Sequence, residues 1–364
     1  MAINCGLIGL PNVGKSTIFN AMTRGNAAVA NFPFCTVDPN VGIVEVPDIR
    51  LTRLTEIYKP KKVAPTNMAF VDIAGLVAGA SKGEGLGNQF LSHMRETDAL
   101  VHIVRCFEDP EIVHVDGTVD PTRDIETIDT ELILKDLDTL EKRLFRTGKK
   151  AKSGDKTAIY EAELLKQLQD CLSSGKSART LSLPEEAAPF LKELALLTAK
   201  PVLYVANVPE DKVKEGNPYS ERVAEIAHRE GTSSIIISGK IESEIAALPP
   251  EEWEEFLNEL DLSESGLSRL IQASYQMLGL LTFFTVGEDE VKGWTIGNET
   301  PAVKAAGKIH SDIERGFIRA EIFRYQDLIE HGNLQAIKSK GLLRLEGKDY
   351  LIQDGDCVYF RFNV

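Results

Sequence analysis

Residues Gly9-Leu-Pro-Asn-Val-Gly-Lys-Ser16 carry two glycines, a lysine and a serine at the spacing of a phosphate-binding loop. The flanks suit that reading. Residues 3–10 form a short apolar run, expected as a buried parallel strand, and a helix opens at Ser16 and runs on to Met22. In such a strand–loop–helix the backbone N–H groups of Asn12, Val13, Gly14, Lys15 and Ser16 converge on phosphate oxygens, with Thr17 just behind them. The helix N-terminus adds about 0.3–1 kcal/mol per exposed negative charge. Lys15 reaches for the β- and γ-phosphates, as a binding and a catalytic group, and the Ser16 hydroxyl binds Mg²⁺. The ligand class is a nucleotide polyphosphate.

Working outward, apolar runs at 41–46, 69–71, 100–105, 202–206 and 234–237 alternate with helical patterns, which predicts a mostly parallel sheet flanked by helices. Between residues 124 and 200 the strands stop. Ile125, Ile128, Leu132, Leu137, Leu140 and Leu144 recur at helical spacing, then a polar tip at 147–157, then Leu164, Leu165, Leu168 and Leu172. This pattern predicts an inserted antiparallel helical hairpin. Runs at 281–286, 294–296, 318–322, 342–345 and 358–362, with one helix near 301–313, predict a small α+β module. The expected division is 1–125 and 199–280 for the two parts of a nucleotide-binding domain, 126–198 for the hairpin and 281–364 for the module.

The 364 residues, 26% charged and 43% hydrophobic, have ordinary globular composition and room for two or three domains. A net charge of −14 repels nucleic acid and anionic membrane alike, so DNA is not an expected partner and RNA contact requires a local basic patch. Five scattered cysteines without a CxxC pair fit reduced thiols in a cytoplasmic protein. No apolar stretch reaches membrane-spanning length and no leader is evident.

Downstream motifs narrow the class to a switch NTPase. Asp72-Ile-Ala-Gly75 follows a strand, placing Asp72 on Mg²⁺ and the Gly75 N–H on the γ-phosphate. Thr36, in Asn31-Phe-Pro-Phe-Cys-Thr36, offers a third metal oxygen or is a simple loop threonine. After the strand at 202–206 stands Asn207-Val208-Pro-Glu210, where GTPases carry Asn-Lys-x-Asp. The lysine is missing and the acid is one methylene longer, so paired hydrogen bonds to guanine are lost, a difference that can reach about 10⁴–10⁵ in discrimination. Adenine then fits the Asn207 amide and loop backbone, closed over by Ser238-Gly239-Lys240. Phe107 either packs on the base or is a core aromatic.

Together these residues resemble the YchF / Obg-like ATPase family. The strongest marks are the glycine-rich run at 72–90, Asn31-Phe-Pro-Phe-Cys-Thr36 and Asn207-x-x-Glu210. The likeness spans the whole chain, and its last module resembles a TGS domain of β-grasp fold through Ala306-Gly-Lys-Ile-His310, Arg315-Gly-Phe-Ile-Arg319-Ala and Asp354-Gly-Asp356. The resemblance implies a cytosolic ATPase that prefers ATP to GTP and associates with ribosomes. Leu76 stands where many switch GTPases carry a water-orienting glutamine, so another group must serve. The resemblance points to His114, on a loop expected to be mobile and exposed, as the catalytic residue; a histidine without a role is the alternative. Asn12 either helps bind K⁺ beside the phosphates, as in related NTPases, or only stabilises its loop. Cys35 beside Thr36 is read as a packing residue, its thiol made less reactive by nearby phosphates. Lys142, Arg143, Arg146, Lys149, Lys150, Lys152 and Lys156 gather near the hairpin tip, either as a ribosomal-RNA contact or as a solvated helix end. Competing readings are a non-hydrolysing nucleotide-dependent adaptor or RNA-binding protein, and an Obg-type GTPase.

Overall fold

The computed structural model describes residues 3–24, 40–73, 93–115 and 117–363. Along the chain run β1 (Asn4–Ile8), α1 (Lys15–Arg24), β2 (Asn40–Glu45), α2 (Ile49–Tyr58), β3 (Lys62–Ala64), β4 (Asn67–Asp72) and β5 (Ala99–Arg105). Then come the hairpin helices α3 (Pro121–Lys152) and α4 (Lys156–Ser173), followed by β6 (Val202–Asn207), α5 (Pro218–Arg229), β7 (Ser233–Ile237) and α6 (Gly239–Ile245). The last part holds β8 (Leu280–Thr285), β9 (Glu290–Gly297), α7 (Ala302–Ile309), β10 (Phe317–Arg324), β11 (Arg344–Glu346) and β12 (Asp356–Phe362).

The chain forms two compact units, residues 1–43 with 69–270 and residues 44–68 with 271–364. The first sheet has the order β2-β4-β1-β5-β6-β7. Its β1–β4, β1–β5, β5–β6 and β6–β7 pairings are all parallel. Central strand β5 is buried at every position, as a strand covered on both faces requires. Parallel strands put their C-terminal ends on one edge, where β1, β4, β5 and β6 deliver the loops of the site.

The inserted hairpin has the expected form and a shorter tip. Helix α3 opens at a strong start signal: Asp120 Oδ1 accepts from Thr122 N and Arg123 N, and Pro121 fills the first turn. It then runs through Gly148 to Lys152, so the polar stretch at 147–157 is mostly helix and the turn is only residues 153–155. Lysines at 149, 150 and 152 close it, where the helix dipole favours positive charge. Leu140, Leu165, Leu168 and Leu172 form the seam between the helices. At the hairpin base the buried Asp136 carboxylate accepts from Leu197 N (2.9 Å), Thr198 N (2.7 Å) and Thr198 Oγ1 (2.6 Å).

In the second unit the order β9-β8-β12-β10-β11, with β8 and β12 parallel in the middle and α7 following the β8–β9 hairpin, is the β-grasp arrangement. Both faces of this sheet are covered. Leu281, Phe283, Ile296, Ile322 and Val358 pack with α7 residues on one side. On the other, Phe284, Val291, Phe323 and Cys357 pack with Leu51 and Leu54 of α2. The segment 44–68 differs here from the sequence-based division, which kept it in the nucleotide domain. Besides α2 it supplies β3, which pairs parallel with β9, and Arg50, which joins Asp48 and Asp354 and lies over the Phe284 ring.

Candidate nucleotide site

The loop between β1 and α1 has the geometry of an anion cradle. Asn12 takes φ 62° and Gly14 φ 93°. At Gly14 the left-handed backbone leaves no room for a side chain, because a Cβ would run into Asn207 Nδ2. Lys15 opens α1 and is only 8% exposed, and its ammonium pairs with the Asp72 carboxylate at the end of β4. Ser16 and Thr17 lie exposed on the first turn of α1. An ammonium, a hydroxyl, a carboxylate and a helix N-terminus form a donor set that fits a polyphosphate with a hard oxygen-loving cation. Thr36 and Gly75 lie outside the described residues, as do Cys35 and Leu76.

Asn207, 4% exposed at the end of β6, acts as a strut between loops. Its Nδ2 donates to Val13 O (2.9 Å) and its Oδ1 accepts from Gly239 N (2.9 Å). The amide carbonyl is therefore committed to the protein rather than offered to a base. Val208 is buried beside it and its N–H donates to Ile237 O. Glu210 begins a short turn, and its Oε2 accepts from Lys240 Nζ at 2.6 Å on the exposed surface. That hydrogen bond raises the Lys240 pKa. Ser238 is buried, and its hydroxyl has no partner among the described residues. A cavity of about 620 Å³, within the range of small-ligand pockets, is lined by Asn12, Thr17, Phe107, Asn207, Glu210 and Lys240 among others.

The loop after β5 forms another wall. Phe107 is half-buried and lines the cavity, so it is not a core aromatic. Beneath it Arg105, 2% exposed, stacks its guanidinium 4.6 Å from the Phe107 ring centre and donates through Nε to Phe107 O (3.1 Å). Asn217 Nδ2 donates to Cys106 O (2.7 Å), and the Tyr219 hydroxyl to Glu108 Oε1 (2.6 Å). None of these supports was anticipated from the sequence. A charged residue ending an otherwise apolar strand was the one available signal for Arg105.

His114 departs from expectation. It was predicted on an exposed, mobile loop; instead it is 7% exposed, and its Nε2 lies 2.9 Å from Asp124 Oδ2 in the first turn of α3. The physical reason is that the Asp124 carboxylate gives the imidazole a hydrogen-bond partner inside the protein in place of water. One residue earlier, Val113 O accepts from Asn12 Nδ2 (3.1 Å), which ties this loop to the phosphate loop and gives the Asn12 amide a protein partner.

At the hairpin tip Lys142 pairs with Asp138, and Arg143 with Glu161 and Glu193. Arg146, Lys149, Lys150, Lys152 and Lys156 are exposed and form no ion pair among the described residues. No described helix is long and apolar enough to cross a membrane.

Known proteins bear out the architecture. A family model described as "50S ribosome-binding GTPase" matches residues 4–152, and one for the C-terminal domain of YchF GTPases, described as a protein of unknown function, matches 280–363. The "Ribosome-binding ATPase YchF" of Bacillus subtilis is 56% identical, and that of Haemophilus influenzae 52%, each over 100% of both chains. The solved structure of the Schizosaccharomyces pombe YchF GTPase has a TM-score of 0.87 at 37% identity, covering 99% of this chain and 97% of that one. With whole-length likeness in sequence and fold, and a phosphate loop of the right geometry, this chain belongs to the YchF family.

Proposed function

We propose that this protein is an ATP-hydrolysing switch that docks on the ribosome. The reading rests first on the full-length relatives named ribosome-binding ATPases. Within the molecule one observation supports the choice of ATP: Glu210, which stands where a guanine-reading aspartate would, is turned to Lys240 at 2.6 Å. An acid held by a lysine, on a chain lacking the GTPase lysine, is a poor reader of guanine N1–H and its 2-amino group. Phe107 offers an aromatic face that any purine accepts.

Lys15 and the N-terminus of α1 would bind the β- and γ-phosphates, and Ser16, Asp72 and Thr36 would hold Mg²⁺. The ion supplies positive charge to the phosphate oxygens. Lys15 and Asp72 are paired with each other here; with nucleotide bound, the ammonium would serve the phosphates and the carboxylate would help hold the metal ion. His114 is the candidate group acting on the attacking water. Val208 and Ser238–Lys240 line the cavity, and the Gly75 N–H would serve the γ-phosphate. The exposed cations from Arg146 to Lys156 would meet ribosomal RNA phosphates, in a TGS-bearing cytoplasmic protein. A role for K⁺ at Asn12 competes with the Asn12–Val113 bond and is read from rates in KCl against NaCl.

The test is ATP turnover by the full chain with and without 70S ribosomes. Faster turnover with ribosomes, and co-sedimentation that weakens as salt rises, are expected. Tight ATP binding with no turnover under either condition would favour the non-hydrolysing adaptor.

A further inference from the structure

We propose that Asp124 is a positioning residue for hydrolysis, fixing the orientation and proton placement of His114. The inference rests on the reading of His114 as the hydrolytic group. The two side chains are 4% and 3% exposed and meet at 2.9 Å. The contact runs from ring nitrogen Nε2 to a carboxylate oxygen, so it fixes which edge of the imidazole faces α3. A buried carboxylate behind an imidazole does two things in hydrolytic sites: it sets ring orientation, and it balances the positive charge when the ring takes up a proton.

Both ends of the pair are anchored. Asp124 sits in the first turn of α3, its N–H donating to Asp120 O (3.0 Å), and Arg123 Nη2 donates to its Oδ1 (3.3 Å). The His114 backbone is fixed through its neighbour, Val113 O, to Asn12 of the phosphate loop. The imidazole is thus strung between the loop that would hold the phosphates and the long hairpin helix. The pairing links residues ten apart in a loop-to-helix junction.

The experiment compares Asp124→Ala, Asp124→Asn, His114→Ala and the double variant His114→Ala/Asp124→Ala, on the full chain. Single-turnover ATP hydrolysis, ATP affinity and unfolding midpoint are measured for each. The expected result is a rate at least about tenfold lower in Asp124→Ala, ATP affinity within about twofold of the parent, and a double variant no slower than His114→Ala. Asp124→Asn keeps the shape and removes the charge, so it loses rate even if Asp124→Ala also loses stability. A parental or raised rate in Asp124→Asn, or losses that multiply in the double variant, would overturn the proposal. A parental rate in His114→Ala would remove its premise instead, and the two failures are told apart by that single variant.

Discussion

At the nucleotide end one buried amide holds two loops: Asn207 joins Val13 O to Gly239 N, and the phosphate loop between them keeps its left-handed turns. In the C-terminal unit apolar side chains hold a sheet from both faces, with Leu51 and Leu54 of a helix that arrives from more than 200 residues earlier in the chain. Polar struts fix position to within a hydrogen bond and contribute modest stability. Apolar clusters contribute stability and tolerate small shifts. The first region needs exact placement for phosphate chemistry; the second needs to stay folded.

Variants sharpen the contrast. Lys15→Ala is expected to slow ATP hydrolysis about 10²–10³-fold, as loss of a key electrostatic donor does, with little change in unfolding midpoint. A rate near the parent's would show that Lys15 is held by Asp72 throughout. Leu54→Ala removes a fully buried side chain from the C-terminal unit. It should cost about 2–5 kcal/mol in denaturant unfolding and leave ATP affinity intact. A selective loss of ATP binding would instead assign segment 44–68 to the nucleotide domain. Asn207→Ala is expected to weaken ATP binding by about 1–3 kcal/mol, since Val13 O and Gly239 N both lose their partner; an unchanged dissociation constant would deny the strut.

The last prediction concerns charge in the first unit's packing and is read as a pH dependence rather than a loss at fixed pH. Burial pushes the Asp129 carboxyl up to about 6, against the pull of Arg179. The folded protein therefore holds this proton after the unfolded chain has released it. Stability attributable to Asp129 is highest below about pH 4 and is lost as pH rises to about 6. Asp129→Asn should flatten that decline, as read from unfolding midpoints across pH. An unaltered pH profile would show that Arg179 compensates fully.

The phosphate loop, Asp72 and Asn207-x-x-Glu210 were legible because their chemistry dictates residue types at fixed spacing. The hairpin was legible because Ile128, Leu132, Leu140 and Leu168 keep helical period on a long helix pair. Segment 44–68 was not. Strand β3 is three residues, two of them exposed, and Leu51 and Leu54 show only that some face is buried, not which partner covers it. His114 was found through family likeness but misplaced, because its burial depends on Asp124, and a carboxylate in a helix's first turn looks in sequence like ordinary dipole complementation. Arg105 under Phe107 illustrates the same limit: a contact that shapes the pocket without a motif.

The central claim is tested most directly by calorimetric dissociation constants for ATP and GTP, each with Mg²⁺, on the full chain. The account predicts clearly tighter ATP binding, and a gain in GTP affinity when Glu210→Asp is combined with Val208→Lys. Tight binding confined to GTP in the unaltered protein would contradict it.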